Sequence, residues 1–222
     1  MRSQNRHNYL IQSLAYDSNQ HIAASADIWG NLKIWDLNFN KSLQEVERFS
    51  NDIYHSEISP DGRFIAYSNK QGIFLFDLQE LSTIDLKATN YPYFGAFSND
   101  GSQFFFRKEE DIWSIDLLNG NQRLVLKSGI EKENSGGTRV STDDLLLMIG
   151  NLETGQNNVY DISTGKTLYT FSTSEVGNYI SFSPTKLYGD KVIGVGIKRK
   201  NESYLSMVLV EYKLKTKKAR EL

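Results

Sequence analysis

Short apolar runs separated by polar turns recur along this chain at a nearly constant interval. The stretch 24–37, A-S-A-D-I-W-G-N-L-K-I-W-D-L, shows the unit: an apolar strand end, a polar turn and an alternating strand closing on Trp35-Asp36. Two markers carry the repeat. One is a turn after an apolar run: Ser59-Pro60-Asp61-Gly62, Ser98-Asn99-Asp100-Gly101, Ser141-Thr142-Asp143-Asp144 and Ser183-Pro184-Thr185-Lys186, with a degenerate copy at Asp17-Ser18-Asn19-Gln20. Counted from residue 17, the copies are 42, 39, 43 and 42 residues apart. The other marker is an apolar strand ending in Asp: Trp35-Asp36, Phe76-Asp77, Ile115-Asp116 and Tyr160-Asp161, with a weaker Tyr212-Lys213. Its intervals are 41, 39, 45 and 52.

Each marker has a physical job. Pro fixes φ at the first corner of a tight turn, Asp hydrogen-bonds the turn backbone, and Gly accepts the positive φ at the exit. Two markers per repeat mean two hairpins, hence four strands in each repeat. In the first repeat the strands are predicted near 10–16, 22–25, 32–36 and 42–49. In the fourth, 158–162 and 167–171 flank a turn at Ser163-Thr164-Gly165-Lys166.

Phe104-Phe105-Phe106, Ile73-Phe74-Leu75-Phe76, and the runs 145–149 and 207–210 are continuously apolar, so their strands are expected to bury both faces. A two-layer sandwich buries one face per sheet and alternates apolar with polar. Sheets stacked radially between two neighbours bury both, which favours a β-propeller. No stretch repeats apolar residues at helical spacing. The expected fold class is all-β: one β-propeller domain over 1–222, with about five four-stranded blades near 9–49, 50–89, 90–130, 131–172 and 173–222.

Ser25, Asp27, Gly30 and Lys33-Ile34-Trp35-Asp36-Leu37 resemble the close of a WD40 repeat. Ile58-Ser59-Pro60-Asp61-Gly62 and Phe97-Ser98-Asn99-Asp100-Gly101 resemble its other half, and the likeness spans about 10–216. The chain is also similar to TolB-like propeller repeats. Several positions depart from the WD40 pattern. No Gly-His dipeptide precedes a repeat, the Trp position holds Phe76, Ile115 and Tyr160 in the next three, and Ile28-Trp29 lengthen the first turn. The family's hydrogen-bonded Asp-His-Ser-Trp network is therefore expected to be incomplete in every repeat. The family usually closes with more blades than five. Either five blades close unaided, residues 1–8 add a strand, or the chain is part of a longer propeller; a five-bladed ring is the expectation.

Composition narrows the function classes. Lys plus Arg total 25 against 27 Asp plus Glu, a formal charge of -2, so there is no global pull toward nucleic acid or anionic membrane. Cysteine is absent, which excludes disulfides and thiolate chemistry. The polar opening MRSQNRHNYL and the lack of a long apolar run predict a soluble, cytoplasmic chain with neither signal-peptide core nor membrane helix.

The resemblance implies a loop-rich face carrying 50–54, 89–93, 127–139 and 173–179, with 69–71, 107–111, 151–157 and 198–203. Loops on a rigid scaffold commonly carry recognition. Tyr54, Tyr93 and Tyr179 enter inner strands at matching positions, either as interface anchors or as wedges between blades. The polar stretch 127–139 is either a binding loop or a solvated connector. Lys198-Arg199-Lys200 and the tail Lys213, Lys215, Lys217, Lys218 and Arg220 either contact phosphate or an acidic partner or, in the tail, protect an exposed sheet edge. The expected partner-binding set is Tyr54, Tyr93, Tyr179, Arg107, Arg139, Lys198 and Arg199.

Catalytic signals are weak. Glu109-Glu110-Asp111 and Asp143-Asp144 are expected on strands, where adjacent residues point to opposite faces and cannot cooperate across one substrate. Asp27 and Asp111 are candidate inward carboxylates, because carboxylates from separate blades can serve glycoside hydrolysis. His7, His21 and His55 have no metal-ligand spacing, and Gly194-x-Gly196 lacks the strand-to-helix context of a phosphate loop. The expectation is a non-catalytic interaction scaffold that binds a protein or peptide and needs no cofactor or metal. It would bind no specific nucleic acid or membrane, and be monomeric if the ring closes and otherwise oligomeric. The alternatives are a hydrolase or lyase at the channel mouth, or a partial propeller serving as a sensor segment.

Overall fold

The computed structural model describes residues 7–17, 21–38, 41–46, 53–88, 95–127, 135–151, 154–176, 179, 181–201 and 204–222. Among these residues the chain forms five four-stranded sheets, each a meander. The first holds β1 (Ile11–Asp17), β2 (Ile22–Asp27), β3 (Leu32–Asp36) and β4 (Lys41–Val46). The second holds β5 (His55–Ile58), β6 (Phe64–Asn69), β7 (Gly72–Asp77) and β8 (Ser82–Asp85), and the third β9 (Ala96–Phe97), β10 (Gln103–Lys108), β11 (Asp111–Asp116) and β12 (Gln122–Lys127). The fourth holds β13 (Ser135–Val140), β14 (Leu146–Asn151), β15 (Gln156–Asp161) and β16 (Thr167–Ser172). After a 3-10 turn at Thr173–Glu175, the fifth holds β17 (Ser181–Tyr188), β18 (Lys191–Asn201), β19 (Tyr204–Lys213) and β20 (Lys218–Glu221). The fold is all-β, with five blades of the β-propeller type. It divides into two compact units, 1–97 with 106–109, and 98–105 with 110–222.

The turns form for the reason the sequence suggests, with one addition. Ser59, Ser98 and Ser141 each donate Oγ–H to the Asp two residues on, at 2.5, 2.6 and 2.5 Å. Each also accepts the backbone N–H five residues on, from Phe64, Gln103 and Leu146 at 2.8, 2.9 and 2.9 Å. The serine thus closes the hairpin from inside, and positive φ falls on Gly62 (71°), Gly101 (72°) and Asp144 (59°). The third strands end on the second marker in all five sheets. The marker's Asp accepts N–H groups of the following turn: Asp36 from Asn38 at 2.9 Å, Asp77 from Gln79 at 2.8 Å, Asp116 from Leu118 at 2.9 Å and Asp161 from Thr164 at 2.8 Å. A short acceptor that folds back on the chain stops the strand.

Three expectations are corrected. Ser183-Pro184-Thr185-Lys186 is not a turn; it lies inside β17, with a register shift between Pro184 and Lys186, and the chain reverses at Gly189-Asp190. β17 is the sheet's edge strand, where a missing proline N–H costs no ladder bond. The run 207–210 does not bury both faces, because Met207 and Leu209 are exposed while Val210 is buried. Asp143 and Asp144, like Glu109 and Glu110, occupy a turn rather than a strand.

That turn ties two blades within the second unit. Asp144 accepts Asn99 N at 2.7 Å, Asn99 Nδ2 at 2.9 Å and Asp100 N at 3.0 Å, while Asn99 Nδ2 also donates to the Ser141 carbonyl at 2.7 Å. Asp144→Ala removes this acceptor and leaves alanine at positive φ. A loss of about 1 kcal/mol is expected in urea unfolding, with Asp144→Asn losing less.

Apolar clusters fill the spaces between neighbouring sheets of each unit. In the first, Ala24, Ala26, Leu32 and Ile34 pack with Ile58, Ile65 and Tyr67. In the second, Phe105, Ile112 and Leu126 pack with Leu147, Ile149 and Tyr160, and Met148, Val159 and Phe171 with Phe182, Val192, Val210 and Tyr212. Adjacent residues of β14 thus serve opposite clusters, so that strand is buried on both sides. No helix among the described residues is long and apolar enough to cross a membrane.

Candidate functional site

The space between the fourth and fifth sheets is core along most of its length and opens at one end. The register sets Arg139 opposite Met148 and Gly150 opposite Asn157. Beside Met148, which the core cluster buries, the face continues through Gly150, Gly137 and Gly155. Glycines put no side chain into the gap, and a cleft of about 300 Å³ results. Met148, Phe182 and Pro184 form apolar walls, and Arg139, Asn151, Asn157, Thr173 and Ser183 supply the polar groups. That volume lies at the small end of ligand sites, enough for a residue or two of a peptide. Met148 and Phe182 are 1% and 3% exposed, so the floor belongs to the packed core and is rigid.

Arg139 is the cation among the described residues of this cleft. Its Nε donates to the Thr185 carbonyl at 3.1 Å and its Nη1 to the Thr138 carbonyl at 2.7 Å, which ties the guanidinium to β13 and β17. A Cβ on Gly137 would stand 2.8 Å from Nη1 and 3.4 Å from Nη2, so the guanidinium lies against bare backbone. Gly155 has φ of +66°, and a Cβ there would stand 2.7 Å from Thr173 Oγ1. Asn157 Nδ2 donates to the Gly155 carbonyl at 3.3 Å, holding the hairpin over the cleft.

No protein family and no curated protein matches the chain. Solved structures do. One is hydrazine synthase of Kuenenia stuttgartiensis, at a TM-score of 0.72 and 15% identity over 99% of this chain and 68% of that one. Another is the computationally designed Ika8 protein, at 0.68 and 15% identity over 97% of this chain and 62% of that one. At such identity the likeness shows the fold alone.

Of the partner-binding set, Arg139 lines the cleft. Tyr179 and Lys198 meet each other elsewhere on the fifth sheet: the ammonium lies 5.6 Å from the Tyr179 ring centroid and pairs with Glu221, which also accepts from Tyr179 Oη at 3.4 Å. The Tyr179 ring stands over Gly196, where a Cβ would be 2.7 Å from Cδ1. Tyr54 donates its backbone N–H to the Ser68 carbonyl at 2.9 Å. Arg107 is buried, with Nε donating to the Glu109 carbonyl at 2.8 Å. Arg199 lies in β18. Tyr93, and residues 128–134 of the polar stretch, lie outside the described residues. Within the second unit, then, Tyr179 and Lys198 come together and Arg139 stands in the cleft. The cleft's signal was Gly137, Gly150 and Asn157 at strand positions that otherwise carry apolar residues, with Gly155 just ahead of β15.

A second polar cluster corrects the sequence reading. The Asp-His-Ser-Trp network, expected to be incomplete in every repeat, is complete in the first blade. His7 reaches it from ahead of the first strand. Nδ1 lies 3.0 Å from Asp27 Oδ2, Nε2 lies 2.6 Å from Ser25 Oγ, and Trp35 Nε1 donates to that Oγ at 2.7 Å. Asp27 only accepts, so Nδ1 carries the proton and Nε2 accepts from the Ser25 hydroxyl. No Gly-His dipeptide marks the residue, because Arg6 precedes His7.

Burial alone would raise the Asp27 carboxyl. The Asn31 amide, His7, and the N–H groups of Asn31 and Trp29 outweigh it and hold the group below the usual carboxylate range. Ile28-Trp29 thus lengthen a turn that Asp27 itself organises, accepting Trp29 N at 3.0 Å and Asn31 N at 3.1 Å. Ser25, His7 and Asp27 follow the order of a nucleophile triad. Yet Ser25 is 2% exposed and its oxygen already accepts from Trp35, so this row acts as a clasp.

Proposed function

We propose that this chain is a WD40-like interaction module, non-catalytic, that binds a protein or peptide through the cleft between the fourth and fifth sheets. The observation that carries the reading is the cleft: backbone bared by glycine, a floor set in the core, and one tethered guanidinium among amide and hydroxyl groups. Such a surface suits an extended peptide, whose main chain needs hydrogen-bonding partners and whose side chains need a pocket. The completed Asp27–His7–Ser25–Trp35 network supports the WD40-like part of the reading, because those residue types in those roles are what the resemblance implies.

Panning a displayed dodecapeptide library on the immobilised full chain tests this. Selected peptides should lose at least about tenfold in affinity to Thr173→Trp, which sets a bulky ring at the cleft wall that faces Gly155. Selection of nothing, or of peptides indifferent to Thr173→Trp, overturns the proposal.

A further inference from the structure

We propose that the cleft recognises a carboxylate, with the Arg139 guanidinium as its receptor; this deepens the interaction reading above and rests on it. Three observations converge. The first is charge. Arg139 is the one ionisable side chain among the described residues lining the cleft, so these present a single positive charge and no acid to cancel it. One guanidinium matches a monoanion; a phosphate group, near two negative charges, asks for more cations than these residues provide.

The second is the geometry of the fork. Arginine has five N–H donors, and the bonds to the Thr185 and Thr138 carbonyls use one on Nε and one on Nη1. A second N–H on Nη1 and those on Nη2 remain outside these two bonds, and that pair of terminal nitrogens is the end-on fork for a carboxylate. The two carbonyls hold the group in position beforehand, so little side-chain freedom is lost on binding.

The third is room. The side of the guanidinium facing Gly137 meets no side chain, and Gly150 and Gly155 keep the neighbouring backbone bare. Asn157, Thr173 and Ser183 offer hydrogen-bonding groups beside it, and Met148, Phe182 and Pro184 offer an apolar surface for the carbon stem that carries the carboxylate. An acidic side chain and a chain's C-terminal carboxylate share this chemistry.

N-acetyl-glutamate N-methylamide, N-acetyl-glutamine N-methylamide and N-acetyl-glycine separate the sources, titrated into the isotope-labelled full chain while backbone amide resonances are followed. The first carries a side-chain carboxylate, the second none, and the third only a terminal one. Saturable shifts at Gly137, Gly150 and Gly155 are expected with one or both carboxylate probes and not with the glutamine probe. Binding should weaken as salt rises. Arg139→Gln should weaken it at least about tenfold, and Arg139→Lys, which keeps the charge without the fork, by less. Each variant's spectrum shows whether it remains folded, and Thr173→Trp, which leaves Arg139 in place, should block the same shifts.

No shift with either carboxylate probe, equal shifts with the glutamine probe, or binding indifferent to both Arg139→Gln and Thr173→Trp overturns the inference. Library peptides that need the cleft but contain no required carboxylate overturn it while leaving the interaction reading standing. Carboxylate binding at Arg139 with an empty library selection does the reverse.

Discussion

His7→Ala should lower the stability of the first unit by about 3 kcal/mol, read as an earlier midpoint in urea unfolding followed by tryptophan fluorescence. The side chains of His7 and Asp27 are 2% and 1% exposed, so alanine leaves a buried carboxylate short of one donor. It also leaves the Ser25 hydroxyl without its acceptor while Trp35 still donates to that oxygen. Ser25→Ala should cost less, since it removes a neutral group and strands no charge. A His7→Ala loss below about 0.5 kcal/mol would mean that the network is not made.

Acid should act on the same cluster with a definite sign. The Asp27 carboxyl sits lower in the fold than in the unfolded chain, where it has its ordinary value. Its contribution is therefore complete above that ordinary value and is lost as pH falls through the folded one. Asp27→Asn should be less stable than the parent at neutral pH, and its stability should fall less steeply in acid. Asp77 behaves in the same direction: burial raises it, but Arg63 and the N–H groups of Gln79 and Glu80 prevail and hold it low. The slope left in Asp27→Asn then reports that group and its like.

Gly194→Ala should cost about 2–3 kcal/mol, although glycine in a strand interior is ordinarily a weakness that alanine relieves. A Cβ at Gly194 would stand 2.5 Å from the Ser183 carbonyl oxygen and 2.6 Å from the Phe182 ring. The oxygen is backbone and cannot swing away, so β17 must move, and with it a wall of the cleft. Gly189→Ala is the comparison. It has φ of 54° and nothing within 4 Å of a Cβ, so only backbone strain opposes alanine, at about 1 kcal/mol. Calorimetric midpoints should fall in that order; equal losses would show that the crowding at Gly194 is relieved locally.

These positions show how far the chain can be read unaided. The Ser-x-Asp turn and the strand-ending Asp were legible because each acts within a few residues of itself: Ser59 meets Asp61 and Phe64, and Asp77 meets Gln79. Ser183-Pro184-Thr185-Lys186 looked the same but lacks the Asp acceptor and the glycine exit, and without them the chain stays extended. The network of the first blade was misread because His7 lies 20 residues before Asp27, a distance at which no local pattern places a ring nitrogen.

By itself, then, the sequence determined a repeat of four strands, all-β and propeller-like, because apolar runs, proline, glycine and short acceptors impose their geometry on neighbouring residues. Tertiary structure alone decided which faces meet water and where the cleft lies. Met207 and Val210 belong to one apolar run and end on opposite sides of the boundary. Gly137, Gly150 and Gly155 become a cleft only when a second sheet stands across from them, with Phe182 and Pro184 as its far wall. Strand pairing is local and periodic, whereas a cavity is defined by what two distant segments fail to fill.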